Sequence, residues 1–137
     1  MKPLLINVGV FLAAIDDRRP GQRWYFNADT GELYVLPDAA EPPKWRYIAI
    51  EPWPSAVAWS IMRDFAEQLP EAEVKAELTK ATKLSQPFRH FQSVLASYPE
   101  VQEAWTAFWR ASRLQLVRVW LENHGVSADL NLELLGR

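Results

Sequence analysis

The chain has 137 residues, a formal net charge of −2 and no Cys. This length suits one domain that buries a core without cross-links. The lack of Cys excludes disulfides, thiolate nucleophiles and cysteine-based zinc or iron–sulfur sites. The small net charge excludes a general electrostatic attraction to nucleic acid or anionic membranes.

The N-terminal segment predicts an amphipathic helix over 8–15. Its apolar residues recur at the spacing i, i+3, i+4, i+7. Asn7 is placed to cap this helix, because its side-chain oxygen can accept from the first free amide groups. We expect the helix to end before Pro20 and Gly21.

The apolar run from Leu4 to Ile15 resembles a secretion signal only superficially. Asn7 and Gly9 interrupt the run, and no small-residue cleavage site follows it. The run is also too short to span a bilayer. We therefore expect a cytoplasmic protein that does not insert into a membrane.

A small antiparallel sheet is predicted next. The β-prone runs 24–26 and 33–36 flank a short turn in which Gly31 can take the left-handed conformation. Residues 46–51 predict a third strand. Connections this short favour antiparallel pairing, because parallel strands need a long crossover.

From residue 52 the sequence predicts helices separated by prolines. Ser55 can cap a helix that continues to 69, and Pro70 breaks it before a second helical pattern over 74–81. Pro87 suits the first position of a third helix. Phe88 and Phe91 of that helix are expected to point inward together.

Pro99 opens the last and longest predicted helix, which ends near His124 and Gly125 because Gly favours the left-handed cap. The tail, 126–137, fits either a final turn or a short strand. Together these elements predict an α+β fold for a single domain over 1–137. An N-terminal helix and a three-stranded antiparallel sheet occupy 1–51, and about four helices occupy 52–137.

An ordered set of motifs resembles a known family. The string YFNADTGELYVL is followed by RYIAIEP, by FRHFQSVLASYPEVQEAWTAFW and by LVRVWLENHGV. In this order, over residues 5–126, the set resembles an uncharacterised bacterial family, uncharacterised protein family 0158. One departure is that His90 follows Arg89 where the family pattern has a second basic residue. The resemblance implies the architecture given above and assigns no activity.

Arg89 and His90 form the first candidate site. They lie on the flank of the helix that begins at Pro87, near its N-terminus, where free amide groups and the helix dipole attract anions. The alternative interpretation is an Arg paired with a carboxylate beside a solvated His. The other His, His124, lies 34 residues on and at no metal-binding spacing.

The last helix carries the second candidate site, which consists of Trp109, Arg110 and Arg113. Apolar residues occur on more than one side of this helix, which is typical of a helix buried in a core or against a partner. Burial in the monomer, a protein interface and a cationic face for a phosphate ligand all fit this pattern.

Two further groups of residues have simple structural explanations. The carboxylates within 64–77 could bind a cation, but Pro70 interrupts them and Lys75 lies close, so a solvated charged face is expected. Trp24 and Phe26 could stack nucleic-acid bases, but the packing of one sheet face on helices is the simpler interpretation. We predict no metal site and no cofactor.

The sequence contains none of the short motifs of nucleotide, dinucleotide or zinc-protease sites. The leading hypothesis is a non-enzymatic interaction or regulatory module that binds a protein partner or itself. The first alternative is nucleic-acid binding through a local patch drawn from Arg46, Arg89, Arg110 and Arg113. The second is an enzyme for a small anionic substrate, with Arg89 or His90 beside a carboxylate in a pocket.

Overall fold

A computed structural model describes residues 4–130 of the chain. The element order is β1 (Leu4–Ile6), α1 (Val8–Asp16), β2 (Gln22–Asn27), β3 (Leu33–Pro37), β4 (Tyr47–Ile50), α2 (Ser55–Gln68), α3 (Glu73–Ala81), α4 (Pro87–Leu95), α5 (Pro99–Asn123) and β5 (Ala128–Leu130). The elements form two compact units. Described residues 4–53 and 116–130 make up the sheet unit, and Pro54–Gln115 is the helical unit. The prediction of a single domain over 1–137 stays a prediction.

Local signals determine the start of the sheet unit as predicted. Asn7 Oδ1 accepts a hydrogen bond from the Val10 amide at 3.1 Å, so Asn7 caps α1. Gly31 has φ +82°, and its amide donates to the Asn27 carbonyl at 2.8 Å, which closes the turn between β2 and β3. Strand β2 pairs antiparallel with β3 on one side and β4 on the other. The predicted three-stranded antiparallel sheet is therefore confirmed.

One face of this sheet packs on helices, as expected. Side chains alternate along a strand, so Trp24 and Phe26 share one face while Tyr25 lies on the other. Phe26 is fully buried, and its ring centroid lies 6.2 Å from Phe11 of α1 and 5.5 Å from Trp120 of α5. These edge-to-face ring contacts form the centre of the sheet unit's core.

Strands β1 and β5 form a parallel pair that the sequence did not predict. Leu4 aligns with Ala128 and Ile6 with Leu130. Each strand has three residues, and almost the whole described chain connects them. Neither local periodicity nor loop length therefore signals the pairing. In the tail, β5 is a short strand, and 131–137 lies outside the described residues.

The end of α5 follows the predicted glycine cap. Gly125 has φ +69°, and its amide donates to the Glu122 carbonyl at 3.0 Å. The Val126 amide donates to the Leu121 carbonyl at 2.9 Å. This pair of hydrogen bonds is the Schellman motif, and it leads the chain from α5 towards β5.

The helical unit contains α2, α3, α4 and residues 99–115 of α5. Helix α2 ends at Gln68, before Pro70, while α4 and α5 begin at Pro87 and Pro99, as predicted from the prolines. Each helix contributes at least one large buried side chain to the core: Phe65, Leu78, Phe91 and Trp105.

Two local predictions for the helical unit are wrong. Ser55 does not cap α2, because Pro54 occupies the capping position and no side-chain cap bond forms. Phe88 does not point inward with Phe91: Phe88 is 47% exposed, whereas Phe91 is fully buried. A helical side chain leans over the turn that precedes it, and Phe88 lies in the first turn of α4, where no earlier helical turn packs against it.

Candidate protein-interaction site

The start of α4 has strained backbone. Gln86, the residue before Pro87, has φ 50° and is the one described non-glycine residue in the left-handed region. Its Oε1 accepts from Arg89 Nη1 at 3.4 Å, and its carbonyl accepts from the His90 amide at 3.3 Å. A non-glycine residue in such a conformation costs about 1–3 kcal/mol, and these residues cluster at functional sites.

A continuous series of aromatic rings leads from the core of the helical unit to Phe88. The buried rings of Phe65 and Phe91 have centroids 6.5 Å apart, and Phe91 lies 4.9 Å from Trp105. Trp105 lies 5.5 Å from Trp109, which lies 6.4 Å from Phe88. The exposed ring of Phe88 thus rests on a close-packed support.

One arginine packs on the outer end of this series, and two more adjoin its last rings in the sequence. Arg113 is only 9% exposed, and its Cζ lies 5.1 Å from the ring centroid of Trp109, a cation–π contact. Arg89 and Arg110, the sequence neighbours of Phe88 and Trp109, are exposed. Within residues 4–130, neither has a carboxylate partner. We call Phe88, Arg89, Trp109 and Arg110 the Phe88 surface.

The five predicted site residues have different environments. Trp109 and Arg113 contact each other, and Arg89 and Arg110 are the sequence neighbours of Phe88 and Trp109. His90 is exposed, and its side chain makes no hydrogen bond or ion pair with any described residue. Arg113 is buried, so it supports Trp109 and does not face solvent. Whether these residues bind a partner stays a prediction.

Phe88 belongs to this surface but is not among the site residues predicted from the sequence. The helical wheel placed it with the buried Phe91, because the wheel takes no account of where a helix begins. Its position directly after Pro87, in the first turn, was the available signal for an outward ring.

Nucleic-acid binding through the four predicted arginines requires that their guanidinium groups are exposed and not paired with carboxylates. Two of the four do not meet this requirement. Arg46 belongs to the sheet unit, where it pairs with Asp29 at 2.8 Å and donates to the Ala28 carbonyl. Arg113 is buried against Trp109. The remaining two, on the Phe88 surface, are the exposed members without a carboxylate partner among the described residues.

The second face of the sheet carries another aromatic cluster. Tyr25 contacts Tyr47 at 5.0 Å, Trp45 contacts Tyr47 at 6.3 Å, and Trp45 contacts Tyr34 at 5.4 Å between ring centroids. The Tyr34 hydroxyl donates to the Glu32 carboxylate, and this bond raises the pKa of Tyr34. The exposed rings of this sheet cluster therefore end in polar hydroxyl groups.

A charged cluster at the end of α1 was not predicted. Asp17 accepts from Arg19 Nε at 2.9 Å and Nη2 at 2.7 Å, and from Trp24 Nε1 at 2.8 Å. The hydrogen bonds from Arg19, followed by that from Trp24, hold the pKa of Asp17 well below its usual range. The cluster links α1 to β2, so we assign it a structural role.

The carboxylates within 64–77 are exposed, as the solvated-face interpretation predicts. Glu71, which precedes α3, pairs with Lys75 of α3 at 3.0 Å. Glu77 accepts from the Tyr98 hydroxyl at 2.5 Å, which raises the pKa of Tyr98 to about 12. Their role is to connect neighbouring segments of the helical unit.

Residues 4–130 lack three features: a metal-binding cluster, a carboxylate beside Arg89 or His90, and a membrane-spanning helix. No three His, Asp or Glu side chains gather there as a metal site. No carboxylate of this range lies within hydrogen-bond reach of the Arg89 or His90 side chain, as the enzyme alternative requires. None of the described helices is both long and apolar enough to cross a membrane.

Comparison with known proteins agrees with the motif resemblance. A family model described as Uncharacterised protein family (UPF0158) matches residues 3–134. A relative from Pseudomonas aeruginosa, UPF0158 protein PA5073, is 24% identical in an alignment that covers 92% of this chain and 87% of the relative. No solved structure matches the chain. Because the family model spans nearly the whole sequence, the chain belongs to the uncharacterised protein family UPF0158.

Proposed function

We propose that this chain is a cytoplasmic, non-enzymatic protein-interaction module and that the Phe88 surface is its contact site. The observation that carries the proposal is the 47% exposed ring of Phe88 at the outer end of a buried aromatic series. Aromatic residues, Phe included, and arginines are enriched in protein interfaces relative to the rest of the protein surface. The Phe88 surface combines both residue types on a fixed support.

The packing of this surface lowers the cost of binding. Ordering a flexible side chain at an interface costs about 0.5–1.5 kcal/mol. Phe88 and Trp109 already pack on each other, and Arg113 already lies against Trp109. Arg89 is oriented by its hydrogen bond to Gln86. A partner therefore meets two rings, Phe88 and Trp109, that have little freedom left to lose.

The test is affinity purification of the tagged chain under native conditions, with the recovered proteins quantified by mass spectrometry. The wild-type chain is compared with Phe88→Ala and with Tyr34→Ala, a control that removes a 40% exposed ring from the sheet unit. We expect recovery of the partner to fall about tenfold for Phe88→Ala and to be unchanged for Tyr34→Ala. Equal recovery by all three chains would remove the proposal.

Nucleic-acid binding is the second candidate, and the described arginines support it less well. It requires several cations aligned with exposed rings, whereas Arg46 is paired and Arg113 is buried. The nucleic-acid absorbance of the same eluates checks this alternative. We expect none above the level of an empty-tag control.

A further inference from the structure

We infer, on the basis of the function proposed above, that the partner presents an acidic segment to the Phe88 surface. In this segment carboxylates flank an apolar side chain. The apolar side chain packs on Phe88, and the carboxylates bind Arg89 and Arg110. The charge distribution of the helical unit carries this assignment.

Charge is unevenly distributed along the helical unit. The unit contains seven Asp or Glu and seven Lys or Arg, so its formal net charge is zero. The stretch 78–99 nevertheless has three Lys or Arg and no carboxylate, and 104–115 has two Arg and no carboxylate. These two stretches meet at the contact between Phe88 and Trp109. The Phe88 surface is therefore cationic within a unit that is neutral.

The carboxylates within residues 4–130 do not pair with these cations. Elsewhere in the described structure, Arg19, Arg46 and Arg63 each pair with Asp or Glu. Arg89 and Arg110 have no such partner within residues 4–130. The preceding carboxylate on α5 is Glu103, seven residues before Arg110 and so about 10 Å away along the helix axis. That separation is about one Debye length at physiological salt.

The ring chemistry favours an acidic protein segment over nucleic acid. Base stacking needs an open aromatic face, but the Trp109 ring contacts Phe88, Trp105 and Arg113. Phe88 is available at the surface as an apolar anchor. A protein segment uses this anchor and also both exposed arginines, because a guanidinium binds a carboxylate through two parallel hydrogen bonds.

The experiment is photocrosslinking in cells that make the full chain. Phe88→benzoylphenylalanine keeps an aromatic ring at the surface and captures whatever lies against it on irradiation. Tyr34→benzoylphenylalanine in the sheet unit is the matched control position. Captured segments are identified by mass spectrometry. The crosslinking yield is also measured with Arg110→Glu added, and with Arg23→Glu, an exposed arginine of the sheet unit that gives the same change in charge.

We expect position 88 to capture protein segments in which Asp and Glu outnumber Lys and Arg and an apolar residue lies at the crosslink. Arg110→Glu lowers the yield about tenfold because it places like charges together, and Arg23→Glu leaves it unchanged. Capture of neutral or basic segments, capture of a second copy of this chain, or an unchanged yield with Arg110→Glu overturns the acidic partner and leaves the proposed function standing. Capture of RNA, or no capture above position 34, overturns both.

Discussion

Both units bring aromatic rings to the protein surface, and the outermost rings differ in chemistry. In the sheet unit, the exposed rings are Tyr34 and Tyr47, whose hydroxyls are compatible with water or a carboxylate. In the helical unit, the outermost ring is Phe88, which has no polar atom. A count of aromatic residues therefore does not locate a binding surface, whereas the chemistry of the last ring and of its neighbours does.

Individual arginines of the two units also differ in their partners. Arg19 and Arg46 of the sheet unit pair with nearby carboxylates. In the helical unit, Arg113 lies against Trp109, while Arg89 and Arg110 have no carboxylate partner among residues 4–130. Arg19 and Arg46 thus stabilise the fold of the sheet unit, whereas Arg89 and Arg110 of the Phe88 surface are available for another molecule.

The largest expected effect is a difference in stability between two variants, one at an inner ring of the aromatic series and one at its outer ring. Trp105 is 5% exposed and contacts Phe65, Phe91 and Trp109, so Trp105→Ala should lower the free energy of unfolding by about 3–5 kcal/mol. Phe88→Ala should lower it by about 1 kcal/mol or less. Chemical denaturation measures both. Similar losses for the two variants would show that Phe88 is a structural residue.

A second prediction sharpens the account of the sheet unit. A Cβ at residue 31 would lie 2.8 Å from Ile6 Cδ1 and 3.2 Å from the Leu5 carbonyl, whereas one at Gly21, with nearly the same φ, meets nothing within 4 Å. Gly31→Ala should therefore cost about 2–4 kcal/mol and Gly21→Ala about 1 kcal/mol. Thermal denaturation compares them. Equal costs would mean that β1 moves away from the turn without loss.

A third prediction concerns pH and the charges of the sheet unit. Hydrogen bonds hold the pKa of Asp17 in the folded chain below its ordinary value of 3.8. The stabilisation is therefore complete above that value and is lost as the pH falls through the lower, folded-state pKa. At neutral pH, the wild-type chain should have a larger free energy of unfolding than Asp17→Asn. The difference between the two free energies should become smaller below pH 3.8. A gap that does not change with pH contradicts this assignment.

The smallest expected effect tests the strain at the start of the Phe88 surface. Gln86→Gly should raise the free energy of unfolding by about 0.5–1 kcal/mol, because glycine adopts the left-handed conformation without strain. Denaturant unfolding measures the change, and Ser85→Gly provides a neighbouring control. A loss of stability in Gln86→Gly would show that the side-chain bond to Arg89 outweighs the strain.

Most of the fold could be predicted because its signals are local. The Asn7 cap, the turn at Gly31, the helix starts at Pro87 and Pro99 and the glycine cap of α5 each depend on a few adjacent residues. The pairing of β1 with β5 could not be predicted, because two three-residue strands at distant positions in the sequence carry no periodic pattern.

The candidate site was predicted less completely than the fold. The sequence identified Trp109, Arg110 and Arg113 from the apolar sides of α5, but the burial of Arg113 depends on tertiary packing. The outward ring of Phe88 depends on which turn of α4 it occupies. Whether Arg89 meets a carboxylate depends on where carboxylates lie in space, and none within residues 4–130 pairs with it. Periodicity predicts the side of a helix that a residue occupies. It does not predict tertiary packing, the exposure of a residue in the first turn or the position of distant carboxylates.

The most direct test of the central claim is the partner recovery of Phe88→Ala compared with Tyr34→Ala, each normalised to the amount of folded protein. The account predicts that Phe88→Ala stays folded and recovers about tenfold less partner than the wild-type chain, while Tyr34→Ala recovers the wild-type amount. A folded Phe88→Ala chain that recovers as much partner as the wild-type chain would contradict the claim that the Phe88 surface is the contact site.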